Sequence, residues 1–543
     1  MPRHATRFDC KHRLLTLAAA VTLAALPLAA LHAQPFADAA SSPTGYANGT
    51  LKPAQDCAAL AQLKLRDVIK LTAETVAATS GAPAHCRING VIAPEIHFQV
   101  NLPLEWNGRF YMIGNGGHAG QQPDDPFNVV SRNQALTAHF VMAATDTGHD
   151  TAKEPGATFV LSNPQKAIDY AFRAVHVTAV TSKDIAKAFY GKPVQKAYWN
   201  SCSNGGRQGL LEAQRYPEDF DGIVANAPWV SQTGFTIGAL WNQRALIGAG
   251  LTSGKLATLA KSVMSKCDLI DGVRDGLIDD PRKCKFDATK DVPRCAAGAG
   301  ANSDSCLTEA QAQAVQKVYD GPRTSDGKQI FPGYMPGSEQ PVPGANGTAS
   351  SSWLGFIAPT DQAAKPADFT LAEGTMQYLV FQPPQADWNY LNFDFDHDPE
   401  LLNRWSRLAD ASDINLRTFR ARGGKLIITY GWADQILQPL MGVNYYEQAL
   451  TANGPNGTDF MRLFMIPGMT HCSGGNGPDQ HDPVTAIVNW VETNQAPALM
   501  TAKKIVNGQT TRSRPLCPYP LVAKFKGQDK SIDDAANFEC KTP

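Results

Sequence analysis

Two short stretches of this chain hold residues able to make and break an acyl bond. Ser203 stands within Ser201-Cys202-Ser203-Asn204-Gly205-Gly206, and His471 stands beside Cys472, far along the sequence. A serine hydroxyl is a poor nucleophile until a neighbouring base takes its proton, and imidazole is the base most often used. Small residues around Ser203 suit a tight strand-to-helix turn that pushes the hydroxyl outward. The stretch departs from G-x-S-x-G only at Ser201, a position that needs a small side chain so that strand and helix can approach. Each reactive residue also has a cysteine for a neighbour. A Cys202–Cys472 bond would cross-link nucleophile and base through adjacent positions. It would close a loop of about 270 residues, a stabilisation of roughly 5 kcal/mol in the chain-entropy view.

Such a pair needs an acid to orient the imidazole. In the strand-turn-helix arrangement the chain order is serine, acid, histidine. Asp434 follows the β-branched run Lys425–Tyr430, and His471 follows the next apolar run, Met461–Ile466. His471 would take the proton of Ser203 and return it to the leaving group, while Asp434 fixes the tautomer and stabilises the imidazolium. A tetrahedral intermediate also needs backbone N–H donors. Asn204, after the nucleophile, is one, and the glycines of Gly114-Asn115-Gly116-Gly117 offer the other, Gly117 first and Gly116 as alternative.

The elements needed to position these residues are present. Strands are expected at Arg109–Ile113, Phe140–Ala144, Lys196–Asn200, Gly222–Asn226, Lys425–Tyr430 and Met461–Ile466. Helices are expected from Pro164 to Tyr190, Gly206 to Tyr216, Pro439 to Leu450 and Val484 to Thr493, from apolar residues at helical spacing. Strand–helix alternation of this kind predicts an open, mainly parallel sheet, an α/β-hydrolase fold. The alternation fails between residues 229 and 407, which hold Cys267, Cys284, Cys295 and Cys306 and many Gly and Pro. That is too long for a loop and reads as an inserted, disulfide-stapled lid domain. The organisation is thus 1–33 leader, 34–228 first part of the core, 229–407 lid, and 408–543 second part of the core.

Length and charge bound the reading. The 543 residues accommodate a core domain and a large insertion. Lys+Arg 49 against Asp+Glu 50 leaves a net charge of −1, which argues against nucleic acid or an anionic membrane as partner. Arg3, Arg7, Lys11 and Arg13 followed by an apolar Leu14–Leu31 read as a secretory signal ending near Ala33. An uncleaved anchor competes with this, but the run is short and Pro27 interrupts it. The product would be secreted or periplasmic, without stable membrane insertion. Of 11 cysteines, loss of Cys10 with the signal leaves an even set, as disulfides require. Short separations pair Cys57 with Cys86, Cys267 with Cys284, Cys295 with Cys306 and Cys517 with Cys540, leaving Cys202 for Cys472. Zinc is the competing use of these cysteines, but no CxxC occurs. In the lid, Asp268-Leu269-Ile270-Asp271-Gly272-Val273-Arg274-Asp275-Gly276-Leu277 could suit a hard cation such as calcium, but its spacing is not that of an EF-hand and suits two solvated Asp-Gly turns slightly better.

Taken together, Cys202-Ser203-Asn204-Gly205-Gly206-Arg207-Gln208-Gly209, Asn226-Ala227-Pro228, Asp434 and His471-Cys472 resemble the tannase and feruloyl esterase family. That family also contains the hydrolase of mono(2-hydroxyethyl) terephthalate. The likeness covers most of the mature chain. It implies a serine esterase whose partner is a small aromatic ester, with feruloyl and hydroxycinnamoyl esters first and gallate esters or a terephthalate monoester as alternatives. It also implies structural calcium (Ca2+) in the lid, on the side chains of Asp268, Asp271 and Asp275 and the carbonyls of Val273 and Leu277. Trp353 and Leu437 are its candidates for lining the acyl pocket. A peptidase using the same triad, or a non-catalytic binding protein on this scaffold, are the readings from other classes.

Overall fold

The computed structural model describes residues 34–296, 303–343, 349–360, 365–527 and 529–543. The expected leader, residues 1–33, lies outside them. A nine-stranded sheet organises the molecule. Its strands are β1 (Val68–Val76), β2 (His85–Ile92), β3 (Ile96–Pro103), β4 (Arg109–Met112), β5 (Val141–Thr145), β6 (Lys196–Cys202), β7 (Gly222–Asn226), β8 (Lys425–Gly431) and β9 (Met461–Ile466). The order across the sheet is β1-β2-β3-β5-β4-β6-β7-β8-β9. From β5 to β9 all neighbours are parallel, whereas β1, β2 and β3 form an antiparallel edge.

The central strands are buried on both faces, as parallel strands covered by helices must be. Period-two alternation sorts their side chains between two cores. Leu426, Ile428 and Tyr430 of β8 point to one, and Ile427 to the other. Helices α2 (Ala174–Tyr190), α3 (Asn204–Arg215) and α5 (Pro439–Ala452) cover the first face, and α1 (Pro126–Thr137) and α6 (Pro483–Thr493) the second. Register then aligns the strand ends that matter. Tyr198–Cys202 of β6 and Lys425–Thr429 of β8 both pair with Gly222–Asn226, and Leu426–Gly431 pairs with Met461–Ile466. The carboxyl ends of β6, β8 and β9 therefore lie side by side, where open α/β sheets place their sites.

Local differences from the sequence reading have physical causes. The helix expected from Pro164 is broken into Gln165–Ile168, a π-helical turn Asp169–Arg173 and α2. Apolar periodicity does not register such a turn, which is often found beside functional sites. The edge strands β1–β3 are not among the expected elements: β1 carries Lys70, Thr72 and Glu74 on a largely exposed face, whereas β3 does alternate, with Ile96, Phe98, Val100 and Leu102 between polar residues. Helix α3 starts at Asn204, two residues before the expected Gly206.

The inserted region is not one body with one interior. Leu246 to Ala358 contribute a separate core built around Leu256, Leu259, Val315, Tyr334 and Trp353. Its flanks pack instead into the core of the sheet, through Phe235 and Leu240 of α4 (Gln232–Leu246) and through Phe369, Met376, Leu402 and Trp405. Five disulfides join Cys57–Cys86, Cys202–Cys472, Cys267–Cys284, Cys295–Cys306 and Cys517–Cys540. Among the described residues no helix is long and apolar enough to cross a membrane.

Candidate active site

Ser203 sits between β6 and α3 with φ 64° and ψ −125°. A non-glycine residue in this region carries strain of about 1–3 kcal/mol and persists only where its surroundings hold it. Here its N–H donates to Asn226 O at 2.9 Å, and its carbonyl accepts the N–H groups of Arg207 and Trp229, both at 3.0 Å. The turn is closed by contact. A methyl group on Gly205 would lie 2.1 Å from Ser201 Oγ, and one on Gly206 would lie 2.8 Å from Asn226 O. Ser201 and Gly205 thus face each other, so a serine at 201 is tolerated because 205 has no side chain.

Asp434 is fully buried just after β8. Its Oδ2 accepts from His471 Nδ1 at 2.8 Å, and its Oδ1 accepts the N–H groups of Ile436 and Leu437 at 2.9 and 2.8 Å. An ionised carboxylate only accepts, so Nδ1 is the donor in this contact and, in a neutral imidazole, Nε2 carries the lone pair. Gln435 adds a constraint the sequence did not reveal, its Oε1 accepting the His471 N–H at 3.0 Å. Nε2 lies 3.8 Å from Cys202 Sγ, which places the imidazole against the elbow. The Cys202–Cys472 bond spans 270 residues with Cα atoms 6.2 Å apart. Cys202, His471 and Cys472 cluster closely enough to invite a metal, but their sulfurs are joined to each other and are not thiolate ligands.

The glycine loop after β4 is pinned by its carbonyls. Gly116 O accepts Ala119 N–H at 2.7 Å, Gly117 O accepts the Tyr170 hydroxyl at 3.2 Å, and His118 O accepts from His149 Nε2 at 3.0 Å. Within one peptide plane the N–H points opposite to the carbonyl. The held Gly116 carbonyl therefore turns the Gly117 N–H away from the turn, and Gly117, at φ 42°, borders the cavity described below. Asn204 opens α3, where N–H groups have no intrahelical acceptor. Gln208 ties loop to helix, its Oε1 accepting Asn115 N–H at 3.0 Å. Tyr170 and Gln208 are not legible in the sequence as functional residues. Only the run Arg207-Gln208-Gly209 after the elbow hints at one of them.

Ser203 and His471 border one cavity of about 440 Å³, walled by Phe127, Trp229, Phe235, Phe356, Leu371 and Leu437. Leu437 is thus in the wall. Trp353 is not: it is fully buried in the separate core of the insertion, packs on Tyr319 and donates to Ser338 Oγ at 3.0 Å. Tryptophan there fills a core, and Phe356, three residues on, reaches the cavity in its place. Among the described residues the lining includes Asp368 and no Lys or Arg.

The acidic loop of the insertion is folded on its own backbone. Asp268 Oδ1 accepts the N–H groups of Asp275 and Gly276, Asp271 Oδ1 that of Val273, and Asp275 Oδ1 that of Leu277. Asp275 Oδ2 also pairs with Arg514. Asp279, outside the expected ligand set, is held well above the usual carboxylate range by burial and then by the charges of Asp271 and Asp275. Three acids therefore face one another, although among the described residues their oxygens do not converge into one cluster.

Comparison with known proteins places these observations. The mono(2-hydroxyethyl) terephthalate hydrolase of Piscinibacter sakaiensis is 32% identical over 530 residues, covering 87% of each chain. A probable feruloyl esterase of Arthroderma benhamiae is 31% identical, covering 81% of each. The crystal structure of feruloyl esterase B from Aspergillus oryzae superposes with a TM-score of 0.75 at 26% identity, over 90% of this chain and 100% of that one. The sequence model of tannase and feruloyl esterase matches residues 80–541. The chain belongs to the tannase and feruloyl esterase family.

Proposed function

We propose that this protein is a secreted or periplasmic serine esterase that hydrolyses esters of aromatic carboxylic acids, hydroxycinnamoyl esters foremost. One observation carries the reading: a strained Ser203 and an Asp434-held His471 border the same aromatic-walled cavity. Ser203 Oγ attacks the ester carbonyl carbon as His471 Nε2 takes the hydroxyl proton. The oxyanion accepts the N–H groups of Asn204 and Gly117. His471 then gives its proton to the departing alcohol oxygen, leaving an acyl-enzyme. Water attacks that ester with His471 again as base, releasing the acid and restoring Ser203. Asp434 keeps the imidazolium oriented throughout.

The cavity lining bears on the acyl group. A terephthalate monoester, named for the Piscinibacter relative, brings a second carboxylate. The absence of lining cations among the described residues disfavours it and favours a neutral phenolic ring, and burial holds the Asp368 carboxyl well above the usual carboxylate range, so it offers a carboxylic acid and not a counter-charge. Measured kcat/KM should be highest for methyl ferulate, against methyl gallate and mono(2-hydroxyethyl) terephthalate. A terephthalate preference overturns the acyl assignment, and cleavage of matched amides would indicate a peptidase. Absence of both turnover and fluorophosphonate labelling at Ser203 would leave a binding protein.

Calcium on Asp268, Asp271, Asp275 and the carbonyls of Val273 and Leu277 belongs to the same proposal. All five donors are oxygens, the type a hard cation requires, and the mutual repulsion of Asp271, Asp275 and Asp279 is what a cation relieves. Ligation requires Asp275 to turn from Arg514 and the carboxylates to close. Bound calcium would cross-link the loop and supply no chemistry. Chelation should lower Tm by about 5 °C, and an unchanged Tm, with no calcium found by elemental analysis, rules it out. The five disulfides support an oxidising compartment.

A further inference from the structure

Arg207 is fully buried in the first turn of α3. Removing a charge from water is strongly unfavourable unless a counter-charge meets it. Among the described residues Arg207 meets none by contact. Its Nε donates to Asn204 Oδ1 at 2.7 Å, Nη1 to the carbonyls of Ala171 and Ala409 at 3.0 and 2.7 Å, and Nη2 to Tyr170 O at 3.4 Å. Every one of these acceptors is neutral. The guanidinium lies over the Tyr170 ring, 5.0 Å from its centre. Asp410 is the carboxylate whose charge reaches it, and Asp410 is itself hydrogen-bonded by Ser231, Thr233 and Ser406. Backbone carbonyls and an amide oxygen can be satisfied by neutral donors. The charge is the part of Arg207 that packing does not explain.

That charge is wired to both halves of the oxyanion hole. Asn204, which receives the Nε hydrogen bond, is the residue whose N–H serves one half. The hydroxyl of Tyr170, whose ring lies beneath the guanidinium, is shared between Gly117 O at 3.2 Å and Asn204 Oδ1 at 3.3 Å, and accepts from Gln232. Its field is felt beyond: the His118 imidazole, next to Gly117, is pushed down to about 3 by burial, then by His149 and Arg207.

We propose that Arg207 is a positioning residue for acyl transfer, its buried guanidinium holding Asn204 in place and setting a fixed positive charge behind the oxyanion hole. The proposal rests on the reading of Ser203, Asp434 and His471 given above. A full negative charge on the tetrahedral oxygen gains more from that field than a neutral carbonyl does, so the effect belongs to kcat and not to KM.

Arg207→Met removes the charge at similar length, and Arg207→Lys retains it. With Arg207→Met, kcat on an aryl ester should fall by about 100-fold with KM nearly unchanged. Affinity for an aryl boronic acid, which becomes a tetrahedral anion on Ser203, should weaken by a similar factor. Arg207→Lys should recover about tenfold of each. Unchanged kcat, a kcat loss without loss of boronate affinity, or a lysine variant no better than methionine overturns the proposal. If Arg207→Met fails to fold, Asn204→Ala decides: cutting the tether should lower kcat and boronate affinity together by about tenfold, and unaltered values overturn it. Wild-type protein that neither turns over esters nor labels at Ser203 sinks the triad reading itself. Labelled, active wild type beside an undiminished Arg207→Met sinks only the role of Arg207.

Discussion

The strand ends carrying Ser203, Asp434 and His471 differ in kind from the insertion that faces them. On the sheet side each reactive group is held by several independent contacts. Ser203 is fixed by three backbone hydrogen bonds, Asp434 has both oxygens engaged, and His471 is tied through Gln435 and the Cys472 disulfide. On the other side the cavity wall is mostly apolar side chains, with Phe356 at 38% exposure and Asp368 the one acidic residue among the described lining. The difference separates two tasks. Transition-state geometry needs rigid elements, whereas choice of acyl group needs only a wall of the right shape. Changes on the sheet side should appear in kcat, and changes on the insertion in KM or stability.

The comparison breaks first at Ser203. Ser203→Ala should cost about 10,000-fold or more in kcat/KM with the thermal transition unmoved or raised. A residual rate within tenfold of wild type would place the nucleophile elsewhere. Cys202→Ser with Cys472→Ser should lower stability by up to roughly 5 kcal/mol and reduce kcat by about tenfold while the protein stays folded at 25 °C. Unchanged turnover at that temperature would make the link a stabiliser only. On the insertion, Phe356→Ala should raise KM for an aryl ester by about tenfold, the scale of one lost apolar contact, and leave kcat intact. A matched fall in kcat would erase the distinction between the two sides.

The smallest effect sharpens the comparison by pH. Glu339, buried in the insertion, has its carboxyl pushed up from the ordinary 4.5 to about 7 by burial, with Tyr319 and Gly337 donating to it in partial compensation. The folded chain then holds a proton that the unfolded chain releases, so stability falls as pH rises from 4.5 to 7 and is level above. The change is on the order of 3 kcal/mol. Glu339→Gln should flatten Tm over that window and leave kcat at pH 7 unaltered. A Tm profile identical to wild type would show that Glu339 does not govern this pH dependence.

Much of this molecule is legible along the chain. The run Lys425–Tyr430 could only be a doubly buried strand, and it is β8 with one residue more. The order of Ser203, Asp434 and His471 along the chain follows from strand order, because each group needs only to succeed a strand that ends on the same side. Cysteine parity and short separations suffice for pairs such as Cys57–Cys86. The misplacement of Trp353 has a different origin. An aromatic residue near a cavity and one inside a core look alike in sequence, and the choice between Trp353 and Phe356 depends on which side of a loop meets Tyr319.

What the sequence determined by itself is therefore the local grammar: small residues at the elbow, apolar alternation in strands, and the succession of Ser203, Asp434 and His471 after strands that end on one side. Tertiary structure alone decided the partners of buried polar groups. Tyr170 reaches Gly117, Gln208 reaches Asn115, and Arg207 donates to Asn204 Oδ1. The physical reason is that periodicity arises from neighbours along one element, each biasing the same backbone. A hydrogen bond between elements depends on which faces the whole core brings together, and no spacing in the chain records it.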